Sequence, residues 1–562
     1  MRILPRAASA AVFVFLLLFA ANSTQAATRT SIASGDWSTS STWSGGFVPT
    51  GSDDVVIASG TTVSLVSNQS ISAKSITVQS GAVFDLRAGE VSVTNLFALD
   101  GSEIQQKGTT ASPLITVSSS FQLAPTSTYV YYGSNAGFSG THPTYGNLKI
   151  ITLPSGTTGS ILIPLTVKGT FTLNIPPTYE LQQRSNINNS FGNLVIERGI
   201  FVLNNNSSGN ASLTITRTVD IQALGKLRGT NNNGHGTLNL GGDLINNGAI
   251  EQDDGSSSGI FTINLNGTAE QHISGTSPVA FENLTVNNPS GVVLDRDVTV
   301  DKVLTLTSGR VNAEDFMLSL ASAATVTGGG ETSYASGYVA KDITAAGIFT
   351  FPVGTDNGYS PVNVNVTSVQ GPSKLSVAAF NGAGPGVEPS NSVARFWNII
   401  EDGDVTANLT FSYREADVTT SAAEASFSLV KKEGNFIPVV VCTGAGCVDA
   451  AANTASAAGV TNFSRWAVGV PLAPSSAEAT VAGRVLTADG RGVGNAFLTI
   501  VGADGRVRYA ISNQFGRFSF RALTVGEVYT IAIRSKRYEF TPSVRVITLK
   551  DAESNLDFIA LP

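Results

Sequence analysis

Three groups of acidic residues are the first place to look for chemistry in this chain. Glycoside hydrolysis needs two carboxylates about 5–10 Å apart, one of them in surroundings that raise its pKa. The groups are Asp53 with Asp54, Glu251 with Asp253 and Asp254, and Glu401 with Asp402 and Asp404. The first precedes a strand, the second reads as a solvent-exposed turn, and the third offers oxygens to Ca²⁺ without the further spaced ligands that such a site needs. No acidic grouping recurs at a regular spacing, so we predict no catalytic residues.

The three histidines do not form a metal site. His142, His235 and His272 stand far apart, and none has a second His at ligand spacing. No Ser nucleophile stands in a G-x-S-x-G elbow with a helix after it, and the sequence contains no phosphate-binding loop. We therefore expect surface histidines in turns, and neither a metal nor a cofactor.

The only two cysteines are close together. Cys442 and Cys447 stand in VCTGAGCV, with two glycines between them. In an exported protein such a pair forms a disulfide by default. We predict a local disulfide that stabilises one hairpin and contributes less than a long-loop bridge would.

Aromatic residues offer the best candidate for sugar binding. In TYVYYGS, Tyr129 and Tyr131 alternate and so share one face of a strand, and with Tyr132 they form a candidate glycan-stacking patch. Trp37 and Trp43 could also stack on sugars, but packing over the open end of a solenoid is the preferred interpretation, because uncapped ends invite edge pairing.

The composition excludes several classes of protein. Only 13% of the 562 residues are charged, against about 25% in an ordinary domain. A net charge of −7 on a chain that is 42% hydrophobic argues against disorder. No stripe of Lys and Arg offers a nucleic-acid footprint. The 57 glycines, with many Ser, Thr, Val and Asn, are typical of short strands joined by tight turns.

The N-terminus predicts export. Arg2 and Arg6 precede an apolar run at 7–21, and small residues follow at Ala26 and Ala27, as in a cleavable signal peptide over 1–27. The alternative is a membrane anchor, but the run is shorter than the roughly 20 residues that a spanning helix needs. No later stretch is a membrane span. We therefore predict a secreted or cell-surface protein.

Repeats predict a parallel β-helix over 28–330. Gly60, Gly81 and Gly101 each follow a short apolar strand at a period of about 20 residues, which is the length of one solenoid turn. A longer repeat consists of YGNLKI (145–150), FGNLVI (191–196) and FENLTV (281–286). Their separations of 46 and 90 are close to one and two units of 45 residues.

In the longer repeat, the aromatic and Leu side chains are predicted to fill the core. Asn147, Asn193 and Asn283 are predicted to bond the backbone at a bend.

The periodicity then fades. Residues 331–470 alternate as antiparallel strands do and predict a β-sandwich. Residues 471–478 form a Pro/Ser/Ala linker, and 479–562 form a separate module. The last 85 residues, 478–562, carry 11 Lys and Arg against 8 Asp and Glu, so this stretch is net +3 and the rest of the chain is net −10.

The segment SGDWSTSSTWSGGFVPTGSDDVVIASGTTVSL (34–65) resembles the opening of secreted bacterial surface proteins and is similar to the start of the glycine-eight type β-helix domain. Its marks are Trp37, Trp43, Gly45, Gly46, Pro49 and Asp53. The passages at 281–309, 351–362 and 462–470 resemble the same broad class of surface β-repeat proteins. This resemblance implies an architecture rather than an activity.

The segment 479–540 resembles the carboxypeptidase regulatory-like domain. The marks are GRV (483–485), Asp489-Gly490, Gly492-Val493, Asn495-Ala496, and Gly516 before two phenylalanines. The resemblance implies a seven-stranded prealbumin-type sandwich, grouped with carbohydrate-binding-like folds. Such modules are usually non-catalytic, and some relatives bind glycans. A related adhesin family forms a Lys–Asn isopeptide bond from its first strand, where this chain has Arg484, so no such bond is expected.

Together these features predict an all-β, non-enzymatic, adhesin-like protein with a parallel β-helix followed by β-sandwich domains. Its expected partner is a polysaccharide or extracellular matrix, bound by many weak contacts along a long surface. Two alternatives stay open: a polysaccharide lyase or hydrolase built on the β-helix, and a passive stalk. The oligomeric state is also open.

Overall fold

The computed structural model describes residues 26–107, 115–132, 137–138, 144–152, 158–253, 255, 258–420, 424–434, 438–472, 478–502, 505–549 and 552–562. These residues form β-strands and five short 3-10 helices, with no α-helix among them. The all-β prediction is therefore confirmed. The first 25 residues of the predicted signal peptide, His142, Asp254 and residues 473–477 of the predicted linker lie outside the described residues. No helix in the described ranges is long and apolar enough to span a membrane.

The first part of the chain is a parallel β-solenoid of about 12 turns. Val55 pairs with Ile76, Ile76 with Leu96, and Leu96 with Phe121, so that one turn takes about 20–25 residues. Its strands are β1 Thr28–Thr30, β2 Gly35–Asp36, β3 Asp54–Ile57, β4 Thr62–Ser64, β5 Ser70–Val78, β6 Val83–Asp85, β7 Glu90–Ala98, β8 Glu103–Gln106, β9 Ile115–Leu123, β10 Thr128–Tyr132, β11 Gly137–Phe138, β12 Thr144–Tyr145, β13 Asn147–Thr152, β14 Thr158–Ile161, β15 Thr166–Asn174, β16 Glu180–Gln183, β17 Asn188–Asn204, β18 Asn210–Ile215, β19 Val219–Thr230, β20 His235–Leu240, β21 Leu244–Asn246, β22 Ala249–Glu251, β23 Ile260–Leu265, β24 Gln271–Ser274, β25 Val279–Asn287, β26 Val292–Leu294, β27 Val298–Ser308, β28 Val311–Leu320, β29 Thr325–Gly328 and β30 Ala335–Ile343.

Each 45-residue unit of the longer sequence repeat corresponds to two turns of the solenoid. Leu148 of the first copy pairs with Phe171, and Phe171 pairs with Leu194 of the second copy. The intervening turn keeps the same register but lacks the aromatic-x-Asn-Leu motif. The motif therefore recurs in every second turn, whereas the backbone pairs between all consecutive turns.

Stacked aromatic rings fill the middle of the solenoid. The rings of Phe171 and Phe191 lie parallel with centroids 4.6 Å apart, and Phe201 meets both edge-on. All three are fully buried. Burial of each ring contributes about 1.5–3 kcal/mol, and the offset-stacked and edge-on pairs add to it.

The asparagines of the longer repeat bond the backbone, as predicted. Asn147 Oδ1 accepts a hydrogen bond of 2.8 Å from the Thr170 N–H, and Asn193 Oδ1 accepts one of 3.2 Å from the Thr218 N–H. Asn283 Nδ2 donates to a carbonyl of the preceding turn. Each asparagine thus links one turn of the solenoid to the next.

Two tryptophans close the first turn. The Trp37 and Trp43 rings meet edge-on at 4.9 Å, and Trp43 Nε1 donates to the Trp37 carbonyl at 2.7 Å. Trp37 also packs against Phe84, at a centroid distance of 5.9 Å. Both indoles are at most 2% exposed, which leaves neither ring face for a sugar. The preferred interpretation, packing at the start of the solenoid, is the one that the structure supports.

The stack of solenoid turns ends at β30. This strand pairs in parallel with β28 and with the short strand Val353–Thr355, and in antiparallel with the strand Ser373–Asn381, so it joins the last turn to the following sheets. The strands after β30 are β31 Gly347–Phe351, β32 Val353–Thr355, β33 Gly358–Tyr359, β34 Val362–Val369, β35 Ser373–Asn381, β36 Val387–Asp402, β37 Val405–Ser412, β38 Ser428–Lys432, β39 Val439–Thr443, β40 Val448–Asp449, β41 Thr454–Val460 and β42 Arg465–Pro471. One antiparallel sheet has the order β31-β34-β37-β41-β40, and β38 pairs in antiparallel with β39 and β42.

The chain divides into two compact units. The first comprises the described residues up to Asn381 together with Trp397–Arg414 and Ser456–Phe463, and the second comprises Gly382–Phe396, Glu415–Ala455 and Ser464–Pro562. The predicted domain boundaries at 330, 470 and 478 stay predictions. The 3-10 helices are Ser40–Thr42, Ser44–Gly46, Glu415–Asp417, Glu424–Ser426 and Gly444–Gly446.

The C-terminal module has the seven strands that its resemblance implies. They are β43 Glu478–Leu486, β44 Phe497–Val501, β45 Val507–Ile511, β46 Arg517–Thr524, β47 Val528–Arg534, β48 Val544–Thr548 and β49 Phe558–Ile559. Three form the sheet β46-β43-β49 and four form the sheet β45-β44-β47-β48. Buried Val481, Ile500, Phe520 and Ile531 belong to their shared core.

Loss of a stacked ring should destabilise the solenoid locally. We expect Phe191→Ala to cost about 3–5 kcal/mol, because it leaves a cavity against two rings. A solenoid turn contacts mainly its neighbours, so amides at 166–215 should exchange hydrogen faster while those at 292–320 keep their protection. Hydrogen exchange with mass spectrometry measures both. The control Phe191→Leu should cost less than about 1.5 kcal/mol. Equal loss of protection along the whole chain would contradict the expectation.

Candidate functional site

The tyrosine patch predicted for glycan stacking lies mostly in the interior. Tyr129 and Tyr131 share a face of β10, as alternation predicted, but both are at most 7% exposed. Tyr129 pairs with Ile104 on one side and Leu148 on the other, which are interior positions. The prediction of an exposed patch is thereby corrected: two of its three rings present no face to a ligand.

The hydroxyl groups of these tyrosines are also engaged. Tyr129 donates to Gln106, and half-buried Tyr132 donates to the Asp85 carboxylate. Burial raises the pKa of Tyr129, and burial together with Asp85 raises the pKa of Tyr132. Both phenols therefore stay protonated and serve the packing of neighbouring turns.

Cys442 and Cys447 form the predicted disulfide. Cys442 lies on β39, and the 3-10 turn Gly444–Gly446 leads to Cys447. The Cα atoms are 5.5 Å apart. The bond closes the loop that follows one strand, which is a structural role.

The first acidic group holds strands together. Asp53 is buried and accepts hydrogen bonds from the Ala27 N–H at 2.9 Å and the Thr50 N–H at 2.8 Å, with Arg29 at 3.7 Å. Burial alone would raise the pKa of Asp53, but these hydrogen bonds and the Arg29 charge outweigh it and lower the pKa. Asp53 is thus an ionised structural anchor.

The second acidic group is neutralised by cations on neighbouring turns. Glu251 lies 2.8 Å from Lys226 Nζ and 2.7 Å from Arg228 Nη2, and Arg228 also binds Glu180 at 2.6 Å. Burial raises the pKa of Glu251, but the hydrogen bonds from Lys226 and Arg228 outweigh it, so the pKa is lowered. A carboxylate held ionised in this way cannot act as a general acid. Asp253 accepts the Gly255 N–H at 2.6 Å, within a turn.

The third acidic group and the histidines also have structural partners. Glu401 accepts the Val405 N–H at 2.7 Å, where the chain turns between β36 and β37. Among the described residues, no group of three His, Cys, Asp or Glu side chains is placed to hold a metal. His235 and His272 lie on strands rather than in the predicted turns, and His272 Nδ1 is 2.9 Å from Asp295.

A cleft of about 270 Å³ lies where the solenoid gives way to antiparallel sheets. We call it the terminal cleft, and all of its residues belong to the first compact unit. It is lined by residues of β28, β30, β32 and β35 and the turn after β32: Glu314, Ser336, Gly337, Tyr338, Gly354, Thr355, Asp356, Ala379, Phe380 and Asn381. Its volume is somewhat below the range of about 300–1,000 Å³ typical of drug-sized ligand sites, so it suits a group the size of one sugar ring.

A bulge in the last solenoid turn forms one wall of the cleft. In the pairing of β28 with β30, Ala313 faces Gly337 but Met317 faces Tyr338, so residues 314–316 leave the ladder. This brings Glu314 to the cleft with an exposed side chain. Gly337 has φ +95°, and a Cβ there would lie 2.2 Å from the Ala313 carbonyl oxygen, so only glycine fits.

Two aromatic rings form the apolar part of the cleft. Tyr338 and Phe380 meet edge-on at 6.2 Å, and both are half-buried. The Tyr338 hydroxyl accepts a hydrogen bond of 2.7 Å from Asn398 Nδ2, which holds the ring in place.

Oxygen atoms form the polar part of the cleft. Glu314 and Asp356 contribute carboxylates, and Asp356 pairs with Arg310. Ser336 is 2% exposed, and its hydroxyl has no hydrogen-bond partner among the described residues. An unsatisfied buried hydroxyl costs free energy, but this oxygen has almost no accessible surface and is therefore not open to a ligand in the cleft.

Sequence reasoning did not identify the terminal cleft. The passage FPVGTDNGYSPV (351–362) resembles surface β-repeat proteins but contains no motif that indicates a ligand site, yet it supplies Gly354, Thr355 and Asp356. The other residues come from strands up to 67 positions apart along the chain. Only the register of those strands brings them together.

Comparison with known proteins identifies one part of the chain. Residues 480–560 match the carboxypeptidase regulatory-like domain, in agreement with the resemblance noted from the sequence. No curated protein matches the chain. Among solved structures, the C-terminal fragment of pilus adhesin SpaC from Lactobacillus rhamnosus GG is similar, at 10% identity over 29% of this chain and 74% of that chain, with a TM-score of 0.13. A likeness at this score carries no inference about function.

The Asp53 anchor should make the N-terminal turns sensitive to acid. Its pKa is lowered in the folded state, so its stabilisation is present above the unfolded pKa of about 3.9 and is lost as pH falls through the folded value. We expect Asp53→Asn to destabilise the protein by about 1–3 kcal/mol at pH 7. The difference from the unmodified chain should shrink as pH falls below about 4, as measured by denaturant unfolding. The exposed control Asp315→Asn should change neither the stability at pH 7 nor its dependence on pH. If Asp53→Asn destabilised the protein equally at every pH, the role of Asp53 as an ionised anchor would be contradicted.

Proposed function

We propose that this protein is a non-catalytic cell-surface protein that binds carbohydrate in the terminal cleft. The observation that carries the proposal is the pairing of two half-buried rings, Tyr338 and Phe380, with the carboxylates of Glu314 and Asp356 in one recess. Sugars present apolar C–H faces and hydroxyl groups together, and this recess offers a partner for each.

The polar groups of the cleft suit the hydroxyl groups of a sugar. The carboxylates of Glu314 and Asp356 accept hydrogen bonds, and exposed Asn381 adds an amide group. Charge-assisted hydrogen bonds from hydroxyls to carboxylates are short and strong. A single small cleft binds weakly, so several attached copies would be needed for firm adhesion.

The surface location is part of the same proposal. It rests on the charged and apolar pattern of residues 1–27, on the disulfide between Cys442 and Cys447, and on the C-terminal module. Disulfides persist in oxidising compartments outside the cytosol.

Glycan-array binding followed by titration calorimetry tests the cleft. We expect Tyr338→Ala to weaken binding of the selected glycan by about tenfold or more, because it removes the stacking surface. Glu314→Gln should weaken it by a similar factor if the carboxylate accepts a sugar hydroxyl. The matched control Asp315→Asn, on the same bulge but outside the cleft lining, should bind as the unmodified chain does. If the glycan bound Tyr338→Ala and Glu314→Gln as tightly as it binds the control, its binding site would lie outside the terminal cleft.

A polysaccharide-cleaving enzyme is the second candidate, and one residue favours it. Burial raises the pKa of Asp301 on β27, as a general acid requires, and the carboxylate accepts a hydrogen bond of 2.6 Å from Gln252. Asp253 and Asp254, the acidic residues that the sequence offers for this alternative, follow Gln252 directly along the chain.

Incubation with a polysaccharide panel separates the two candidates. We expect no release of reducing ends or unsaturated products from any polysaccharide, with the same result for Asp301→Asn and Asp253→Ala. Product release that either substitution abolishes would replace the binding proposal with an enzymatic one. Retained glycan binding by both variants would show that they are folded.

A further inference from the structure

The outer face of one sheet in the C-terminal module is apolar and uncovered. It is the solvent side of β45-β44-β47-β48, and we call it the apolar face. Cross-strand pairing aligns its side chains in rows: Ile511 beside Phe497, Tyr509 beside Thr499, and Val507 beside Val501. The rows continue through Ala532 and Thr530 of β47 to Val544 and Val546 of β48.

The large side chains on this face are far more exposed than is normal for their types. Tyr509, Ile511 and Val546 are 62–65% exposed, and Phe497, Val507, Val528 and Val544 are 41–48% exposed. The alternate residues of the same strands, such as Ile500 and Ile531, are fully buried in the module core. The sheet therefore carries apolar side chains on both sides, although only one side has a packing partner within the module.

The apolar face carries little charge. Among its outward-facing residues on the four strands, Arg534 alone is charged, and it stands at the end of the row that contains Phe497. The module is otherwise rich in charge, with 11 Lys and Arg and 8 Asp and Glu in the last 85 residues. Charged side chains are thus nearly absent from this side of the sheet, although charged residues on an exposed face would favour solubility.

The area of the face fits a specific protein interface. From the exposed fractions, its apolar side chains present about 600 Å² to solvent, at the upper end of the largest patch on a typical monomer. A standard interface buries about 800 Å² on each partner. Surrounding residues would supply the remaining area at the rim.

We propose that the apolar face packs against the same face of a second copy of this chain. Two twisted sheets pack face to face with strands about 30° apart and about 10 Å between them, which fits a four-stranded sheet without modification. A two-fold axis through the contact makes it self-complementary. With Arg534 at the margin, the two copies bring no like charges together at the centre.

A second copy fits this face better than a sugar chain does. The outward-facing residues other than Tyr509 that carry a hydroxyl are Thr499, Thr530 and Thr548, and they are interleaved with valines and isoleucine. Sugar rings need hydrogen-bond partners around a stacking ring, whereas a protein interface core is depleted in polar groups. The contact would place two terminal clefts in one particle, so weak cleft binding would be strengthened by avidity.

Sedimentation velocity of the full chain over a concentration series tests the proposal. We expect a reversible monomer–dimer equilibrium. Two separate variants, Tyr509→Lys and Val546→Lys, should each raise the dissociation constant of the dimer at least about tenfold. Tyr509→Thr, a milder change at the same position, should weaken the dimer without adding charge. The matched control is Ile348→Lys on β31, which substitutes a side chain that is 71% exposed outside the apolar face, and it should leave the equilibrium unchanged.

The other outcomes decide against the proposal. A full chain that stays monomeric at every concentration overturns it, and so does a dimer that forms equally well in Tyr509→Lys. A third outcome is a monomeric chain that binds polysaccharide. If Tyr509→Lys abolishes that binding and Tyr338→Ala does not, the apolar face is a glycan-binding site instead. Circular dichroism and thermal unfolding of each variant confirm that the module is folded. Because the dimer is measured without a ligand, its failure is independent of carbohydrate binding in the cleft.

Discussion

Parallel backbone pairing between consecutive turns is the interaction on which the solenoid depends. It sets each residue beside its equivalents one turn above and below, so the interior columns are mostly apolar, with single buried amides such as Gln183 beside Ile161 and Asn246 beside Ile221. Val55, Ile76 and Leu96 form one such column. A slip of one residue in any turn would move its whole apolar set to the outside.

The same stacking explains the low charge of the chain. Equivalent positions lie about 4.8 Å apart, so like charges repeated along a column would repel. Several of the charges on the solenoid are paired across turns, as in Lys74 with Asp54 and Lys226 with Glu251. Asparagine and threonine can link turns without this restriction, and they do so at Asn147 and Asn193.

A stack of parallel turns has two ends, and each needs its own solution. The first turn is closed by two buried tryptophans, and the last joins antiparallel sheets through β30. The terminal cleft lies at that second junction, where one bulge interrupts the ladder. Functional recesses are favoured at such places because the regular part of a solenoid fills its own interior.

Repetition, fold class and the C-terminal module were all readable from the sequence, because each depends on local alternation, turn glycines or a contiguous motif. The disulfide was readable for the same reason. The sequence also predicted that Tyr129 and Tyr131 share a face, but not that this face is the interior. Alternation defines two sides of a strand, and the turns stacked above and below decide which side is buried. The terminal cleft and the pairing of Glu251 needed the tertiary structure for a related reason. Their residues lie tens of positions apart, and only the register of the stacked strands brings them within hydrogen-bonding distance.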